Sequence, residues 1–208
     1  MCQDSSIYLL DLGLGNISSI VRMIEKVGGR SEVVRRVPNL GRKNKFILPG
    51  VGHFDHGMNA MRNLEINGDF FSEVLAREGT ILGICLGMQL LCRNSEEGSE
   101  PGLGLIDAEV KRFQFQSSLK LKVPHMGWNV VRPALANPLI SYTEEEQRFY
   151  FVHSYKVVPD DPSVVIGTAS YGGDFCAAFQ KGNIFGVQFH PEKSHRFGMA
   201  LMKRFVEL

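Results

Sequence analysis

Cysteine, tryptophan, long apolar runs and surplus charge are all scarce in this chain. Four cysteines occur in 208 residues, Cys2, Cys85, Cys92 and Cys176. They have neither the paired spacing of a zinc site nor the density of a disulfide framework. A reducing cytoplasm is therefore the expected setting. No apolar run approaches the ~20 residues needed to span a bilayer, and residues 1–6 are polar, without the apolar core of a signal peptide. No membrane association is expected. Basic and acidic residues nearly cancel, 23 against 22 for a net charge of +1, so no nucleic-acid surface is expected either. The basic cluster Arg42-Lys43-Asn44-Lys45 reads as a solvated turn. His53, Asp55 and His56 lack a third ligand of fitting spacing, so no metal is expected. What is present is 44% hydrophobic content, enough for one sizeable core and a single domain over residues 1–208.

The first half of the chain alternates strand and helix patterns. Residues 7–10 read as a buried strand, and Ile17, Ile20, Val21 and Ile24 share one face of a following helix. Asn16 suits its N-cap and Gly28 its C-terminal stop. Residues 32–34 and 46–48 give two further strands, and residues 80–84 another. That order predicts a parallel α/β sheet with its site at the carboxyl ends of the strands. After about residue 105 the pattern turns β-rich, with apolar runs at 110–113, 149–152, 164–169 and 176–179. Residues 197–208 read as a closing helix, and the polar stretch 94–102 as a loop. The expected fold class is α/β, a single domain with a central mixed, mostly parallel sheet flanked by helices.

Gly83-Ile84-Cys85-Leu86-Gly87 joins the strand at 80–84 to a helical stretch through a sharp turn. A nucleophile on such a turn projects above the sheet edge, and flanking glycines relieve the turn. The unpaired N–H groups of the helix start favour a thiolate. Cys85 taken alone could equally be a small buried hydrophobe. A second motif, Gly186-Val187-Gln188-Phe189-His190-Pro191-Glu192, tips the balance. A histidine can take the thiol proton and later return it, and a carboxylate on its far side fixes the tautomer. Cys85, His190 and Glu192 therefore form a candidate triad. Pro49-Gly50-Val51-Gly52 reads either as an ordinary strand-ending turn or as an oxyanion strand. In the second reading its glycines bring backbone against a substrate carbonyl. The Val51 or Gly52 N–H would then complete an oxyanion hole with the Leu86 N–H. Gly13-x-Gly15 lacks the third glycine of a dinucleotide fingerprint, since Ser18 stands there.

Pro49-Gly50-Val51-Gly52, residues 83–91 (GICLGMQLL) and residues 186–194 (GVQFHPEKS) resemble the class I, triad-type glutamine amidotransferases. Residues 124–129 (PHMGWN) and 149–155 (FYFVHSY) are similar to segments of the glutaminase subunits of imidazole glycerol phosphate synthases. The resemblance runs from the first strand to the last helix. It implies a flavodoxin-like fold, hydrolysis of L-glutamine to L-glutamate and ammonia, and no cofactor. It makes Gly50 and Gln89 contacts for the substrate, and has His153, Ser154 and Tyr155 hold the substrate's α-amino-acid end through backbone groups. Glu96 is the expected partner of the substrate ammonium. The implied partner is a cyclase-type (β/α)8-barrel synthase subunit, forming a heterodimer. Gly13, Gly15 and Asn16 would face it, as would His125, Met126 and Trp128, although a lone tryptophan can equally be a core residue. Two other functions stay open. A paralogous glutaminase could supply ammonia for an amino sugar of a surface polysaccharide, as residues 52–58 (GHFDHGM) suggest. A binding module could also keep this fold without catalysis.

Overall fold

Apolar residues fill both faces of the central strands, and the fold follows from that. The computed structural model describes residues 7–141 and 145–208. Cys2 and the polar opening stretch 1–6 lie outside them. The first half contains β1 (Ile7–Leu10), α1 (Ile17–Lys26), β2 (Ser31–Val34), β3 (Lys45–Gly50), α2 (Phe54–Asn63), α3 (Gly68–Ala76), β4 (Thr80–Cys85) and α4 (Leu86–Leu90). The second half contains β5 (Asn94–Ser95), β6 (Ala108–Arg112), β7 (His125–Pro133), β8 (Gln147–His153), β9 (Tyr155–Pro159), β10 (Val165–Ser170), β11 (Asp174–Lys181), β12 (Ile184–Val187) and α5 (His195–Glu207).

The twelve strands among the described residues join one sheet, whose main path runs β2-β1-β3-β4-β12-β11-β10-β7-β8. Five pairings are parallel and six antiparallel. The sheet is mixed, as expected. It is not mostly parallel: four parallel pairings make the stretch β2-β1-β3-β4-β12 and a fifth joins β5 to β6, while the β-rich second half supplies the antiparallel pairs that outnumber them.

Alternation along β3 sends Ile47 to one core and Phe46 and Leu48 to another. The Ile47 side packs against Ile20, Met23 and Ile24 of α1 and Leu201, Met202 and Phe205 of α5. The opposite side packs against Met58 and Met61 of α2, Phe70, Phe71 and Val74 of α3, and Leu86 and Leu90 of α4. A sheet covered on both faces reads as continuous apolar strands, which is why residues 46–48 and 81–84 show no polar alternation.

Asn16 caps α1 by accepting the Ser19 N–H, and Gly28 follows the helix end with φ +88°. The cluster at 42–45 is not a solvated turn throughout. Arg42 pairs with Glu78 at the surface, but Lys45 opens β3 and is buried. Its Nζ donates to the Val206 carbonyl in the last turn of α5, at 2.6 Å. A cation there complements the negative end of the helix.

Candidate active site

The parallel strands deliver the site. β4 ends at Cys85 and α4 begins at Leu86, so one residue makes the whole reversal. Cys85 has φ 55° and ψ −109°, a conformation that costs a non-glycine residue ~1–3 kcal/mol. The flanking glycines do not relieve this, contrary to expectation; the strain sits in Cys85 itself. Gly83 and Gly87 serve close packing instead. A Cβ on Gly83 would lie 2.7 Å from the Gly87 carbonyl, and one on Gly87 only 1.7 Å from the Leu48 carbonyl. Gly87→Ala is therefore expected to cost ~1–3 kcal/mol or more through overpacking. Thermal unfolding of the variant measures this, and an unchanged Tm would refute the packing role.

His190 lies beyond β12. Its N–H donates to the Tyr150 carbonyl of β8 at 2.9 Å. The Ser194 hydroxyl donates to the His190 carbonyl at 2.6 Å and accepts the Tyr150 N–H at 3.0 Å. These bonds pin the backbone on both sides of the imidazole. Nδ1 is 2.8 Å from Glu192 Oε1, and both side chains are buried. His190 Nε2 is buried with no hydrogen-bond partner among the described residues, so it is available to exchange a proton. Burial by itself would push the His190 pKa down. The Cys85 sulfur and the Glu192 carboxylate outweigh burial and raise it to about 10. The pair is thus poised as imidazolium beside sulfur. Cys92 and Cys176 have no such neighbour, and burial pushes both thiols up, Cys176 to about 12.

A cavity of about 290 Å³ opens over Cys85. That is near the lower end for small-molecule sites, ~300 Å³, and suits a ligand of amino-acid size. Val51, Gly52, Leu86 and Gln89 form part of its wall, and His153, Ser154 and Tyr155 close another side. Two of the expected contacts fall elsewhere. Gly50 is buried at the end of β3, where its missing side chain admits Leu86, whose Cβ would be 3.1 Å from a Cβ at 50. Glu96 is exposed, and its Oε2 accepts the Arg112 N–H at 2.7 Å. Glu97 stands on the cavity wall instead, with Oε2 accepting the Phe54 N–H at 2.9 Å. The signal for it was Ser95, whose Oγ accepts the Glu97 N–H at 3.1 Å and turns the chain inward.

The strand end at residues 49–52 presents no free donor at Val51. The Val51 N–H donates to the Leu14 carbonyl at 3.1 Å, so it is not a free donor for a charge developing above Cys85. Gly52 has φ +116°, which a side chain would resist. The Leu86 N–H, first of α4, has no partner in the helix ladder.

Of the residues expected to face a partner, Gly13, Gly15 and Asn16 are exposed in the loop that carries Leu14. Met126 and Trp128 are exposed on β7, and Trp128 stacks on His195 with ring centroids 5.3 Å apart. His125 is not at the surface. It is 4% exposed, with Nδ1 2.9 Å from His153 Nε2, inside a box that includes Phe151, Tyr171 and Phe175. Burial lowers the pKa of His125 to about 4 and of His153 to about 3. Both rings should therefore stay neutral on acidification to pH 5, and their ring resonances should not move between pH 8 and 5. Titration of either near 6.5 would contradict this arrangement. Asp55 accepts the Ser99 and Glu100 N–H groups at 3.1 and 3.0 Å and holds the loop that carries Glu97.

Residues 8–208 match the family model described as glutamine amidotransferase class-I. The chain is a class I glutamine amidotransferase. It is 46% identical to imidazole glycerol phosphate synthase subunit HisH 2 of Pseudomonas aeruginosa, over 97% of this chain and 99% of that protein. It is 45% identical to the subunit HisH 2 of Methanococcus maripaludis, over 97% and 98%. Subunit HisH of Leptospira interrogans is 41% identical over 97% and 100%. Among solved structures, PurLQS from Thermotoga maritima superposes with a TM-score of 0.71 at 21% identity, covering 98% and 96% of the two chains. A further glutamine amidotransferase gives 0.73 at 19%, covering 97% of each. Both share the fold of this amidotransferase. No helix among its described residues is long and apolar enough to cross a membrane.

Proposed function

We propose that this amidotransferase is the glutaminase subunit of an imidazole glycerol phosphate synthase, with Cys85, His190 and Glu192 as its catalytic triad. The observation that carries the chemistry is the strained Cys85 beneath a cavity of about 290 Å³, together with the buried His190–Glu192 pair at 2.8 Å. Cys85 Sγ attacks the side-chain amide carbon of L-glutamine. The oxyanion is held by the Leu86 N–H and by a second backbone N–H from residues 51–52. His190 protonates the departing ammonia, leaving a thioester on Cys85. His190 then takes a proton from water as it attacks the thioester, and glutamate leaves. Glu192 holds the imidazole in the tautomer that presents Nε2 to the sulfur. Glu97 receives the substrate ammonium, and backbone groups of residues 153–155 receive its α-carboxylate end. No step calls for a metal or an organic cofactor.

We read residues 1–208 as one glutaminase domain whose ammonia a second enzyme consumes. A (β/α)8-barrel synthase subunit does so in a heterodimer, docked over Gly13 to Asn16, Met126 and Trp128. It incorporates ammonia to give imidazole glycerol phosphate and an aminoimidazole carboxamide ribonucleotide, in the cytoplasm. The relatives' names support this pathway over ammonia supply to a surface polysaccharide. Rescue of a histidine auxotroph lacking this subunit tests it. Growth without histidine is expected, and failure with a well-expressed, partner-bound chain would sink the assignment.

A further inference from the structure

Gln188 has no role in the steps above, yet it is the most completely buried polar side chain near the sulfur. It is 0% exposed. A buried amide is costly unless its hydrogen bonds are made, so the bonds it makes are informative. Its Oε1 is 3.0 Å from Gln89 Nε2, and its Nε2 is 3.8 Å from Cys85 Sγ.

The two ends of an amide look alike in shape, so the direction of these bonds must be argued from the network. Gln89 Nε2 also reaches the Tyr155 carbonyl at 3.3 Å. A carbonyl only accepts, so that end of Gln89 is the NH2 group. Gln89 therefore presents a donor to Gln188, and Gln188 must answer with its oxygen. Its NH2 group is left facing the sulfur.

The Tyr155 carbonyl is itself fixed. His153 Nδ1 donates to it at 2.7 Å. His153 Nε2 is then an acceptor, filled by the His125 Nδ1–H at 2.9 Å. His125 Nε2 accepts from Asn129 Nδ2 at 3.3 Å, and that Nδ2 also donates to the Ser170 carbonyl at 2.9 Å. Two main-chain carbonyls, Ser170 and Tyr155, thus set the polarity of the whole chain of side chains. The same orientation turns the Gln89 oxygen away from Gln188.

We propose that Gln188 is a positioning residue whose amide N–H, oriented by Gln89, is held on Cys85 Sγ to stabilise the thiolate. The proposal rests on Cys85 being the nucleophile. A thiolate with a donor on one side, an imidazolium on another and a helix start at its base has its charge spread over three partners. A neutral thiol gains little from any of them.

The test uses the full heterodimer with native Gln188, Gln188→Met and Gln188→Glu. Iodoacetamide alkylation of Cys85 is followed against pH, beside glutamine-dependent and ammonia-dependent synthesis. Gln188→Met removes the donor at nearly constant volume. It should move the alkylation midpoint upward by ~1 unit and lower kcat ~10- to 100-fold, as loss of a bond to a charged group does, with KM little changed. Gln188→Glu can still accept from Gln89 but turns an acceptor to the sulfur, so its shift should be larger. Ammonia-dependent synthesis should persist in both, which reports that the chain folds and docks. A native midpoint and kcat in Gln188→Met would overturn the proposal. So would two variants that fold but lose activity with no movement of the midpoint. Cys85→Ala assayed in parallel separates the failures: glutaminase retained there removes the nucleophile reading itself.

Discussion

Cys85→Ala is expected to abolish glutamine-dependent synthesis while leaving ammonia-dependent synthesis by the heterodimer intact. Among the described residues no other cysteine can replace the proposed nucleophile. Cys92 and Cys176 are buried, and burial raises both thiols. The change removes one sulfur from a turn set by the backbone contacts of Gly83 and Gly87, so the fold and the docking face should survive. His190→Asn should be nearly as damaging, because in the proposed mechanism one base serves both half-reactions. Glu192→Gln should be milder, since an amide oxygen can still accept the Nδ1–H that Glu192 Oε1 now faces at 2.8 Å. The three kcat values and the ammonia-dependent control check this together. Equal losses for all three would mean that the carboxylate contributes more than orientation.

The free chain is expected to be a poor glutaminase, and docking of a nucleotide-bound synthase subunit should raise kcat roughly a hundredfold. The reason is the position of one peptide. The Val51 N–H is occupied by the Leu14 carbonyl at 3.1 Å, which leaves the oxyanion one donor short. One such donor lowers the barrier by ~3 kcal/mol, equivalent to about a hundredfold. Giving up a backbone hydrogen bond costs only ~1 kcal/mol net. Leu14 lies in the exposed loop between β1 and α1. That loop is braced by Asp11, which accepts the Gly13 N–H at 2.9 Å and pairs with Arg35 at 2.8 Å. A partner pressing on Gly13 to Asn16 can move the Leu14 carbonyl and release Val51. Glutamine turnover measured for the free chain, the heterodimer and the nucleotide-bound heterodimer tests the switch. A free chain as fast as the bound one would remove it.

The parts of this site that could be read from sequence are those encoded by residue type over a few positions. Cys85 between two glycines, His190 two residues before Glu192, and Asn16 before an amphipathic run each carry their chemistry locally. The strands β1, β3 and β4 were legible because both of their faces are buried, which leaves unbroken apolar runs. What was not legible depends on backbone direction or on distant partners. Glu96 and Glu97 differ by one position in a turn, and only the fold decides which carboxylate enters the cavity. The orientation of the Val51 peptide leaves no trace in composition. His125 belongs to a segment of apparent surface character, and it is His153, 28 residues away, that draws it inward. Gln188 was visible within its motif, but its partners Gln89 and Cys85 are 99 and 103 residues distant. The helices α2 and α3 were not foreseen. The cap of α2 is a histidine, with His53 Nδ1 accepting the Asp55 N–H at 3.2 Å, which is a weak signal for a helix start.

The nucleophile assignment is tested most directly by covalent trapping. The heterodimer is treated with a glutamine-shaped electrophile such as a diazoketone analogue, with and without excess L-glutamine, and digested for peptide mass analysis. One adduct is expected, on the peptide containing Cys85, and glutamine should protect it. A glutamine-protected adduct on Cys2, Cys92 or Cys176, with Cys85 unmodified, would contradict the assignment.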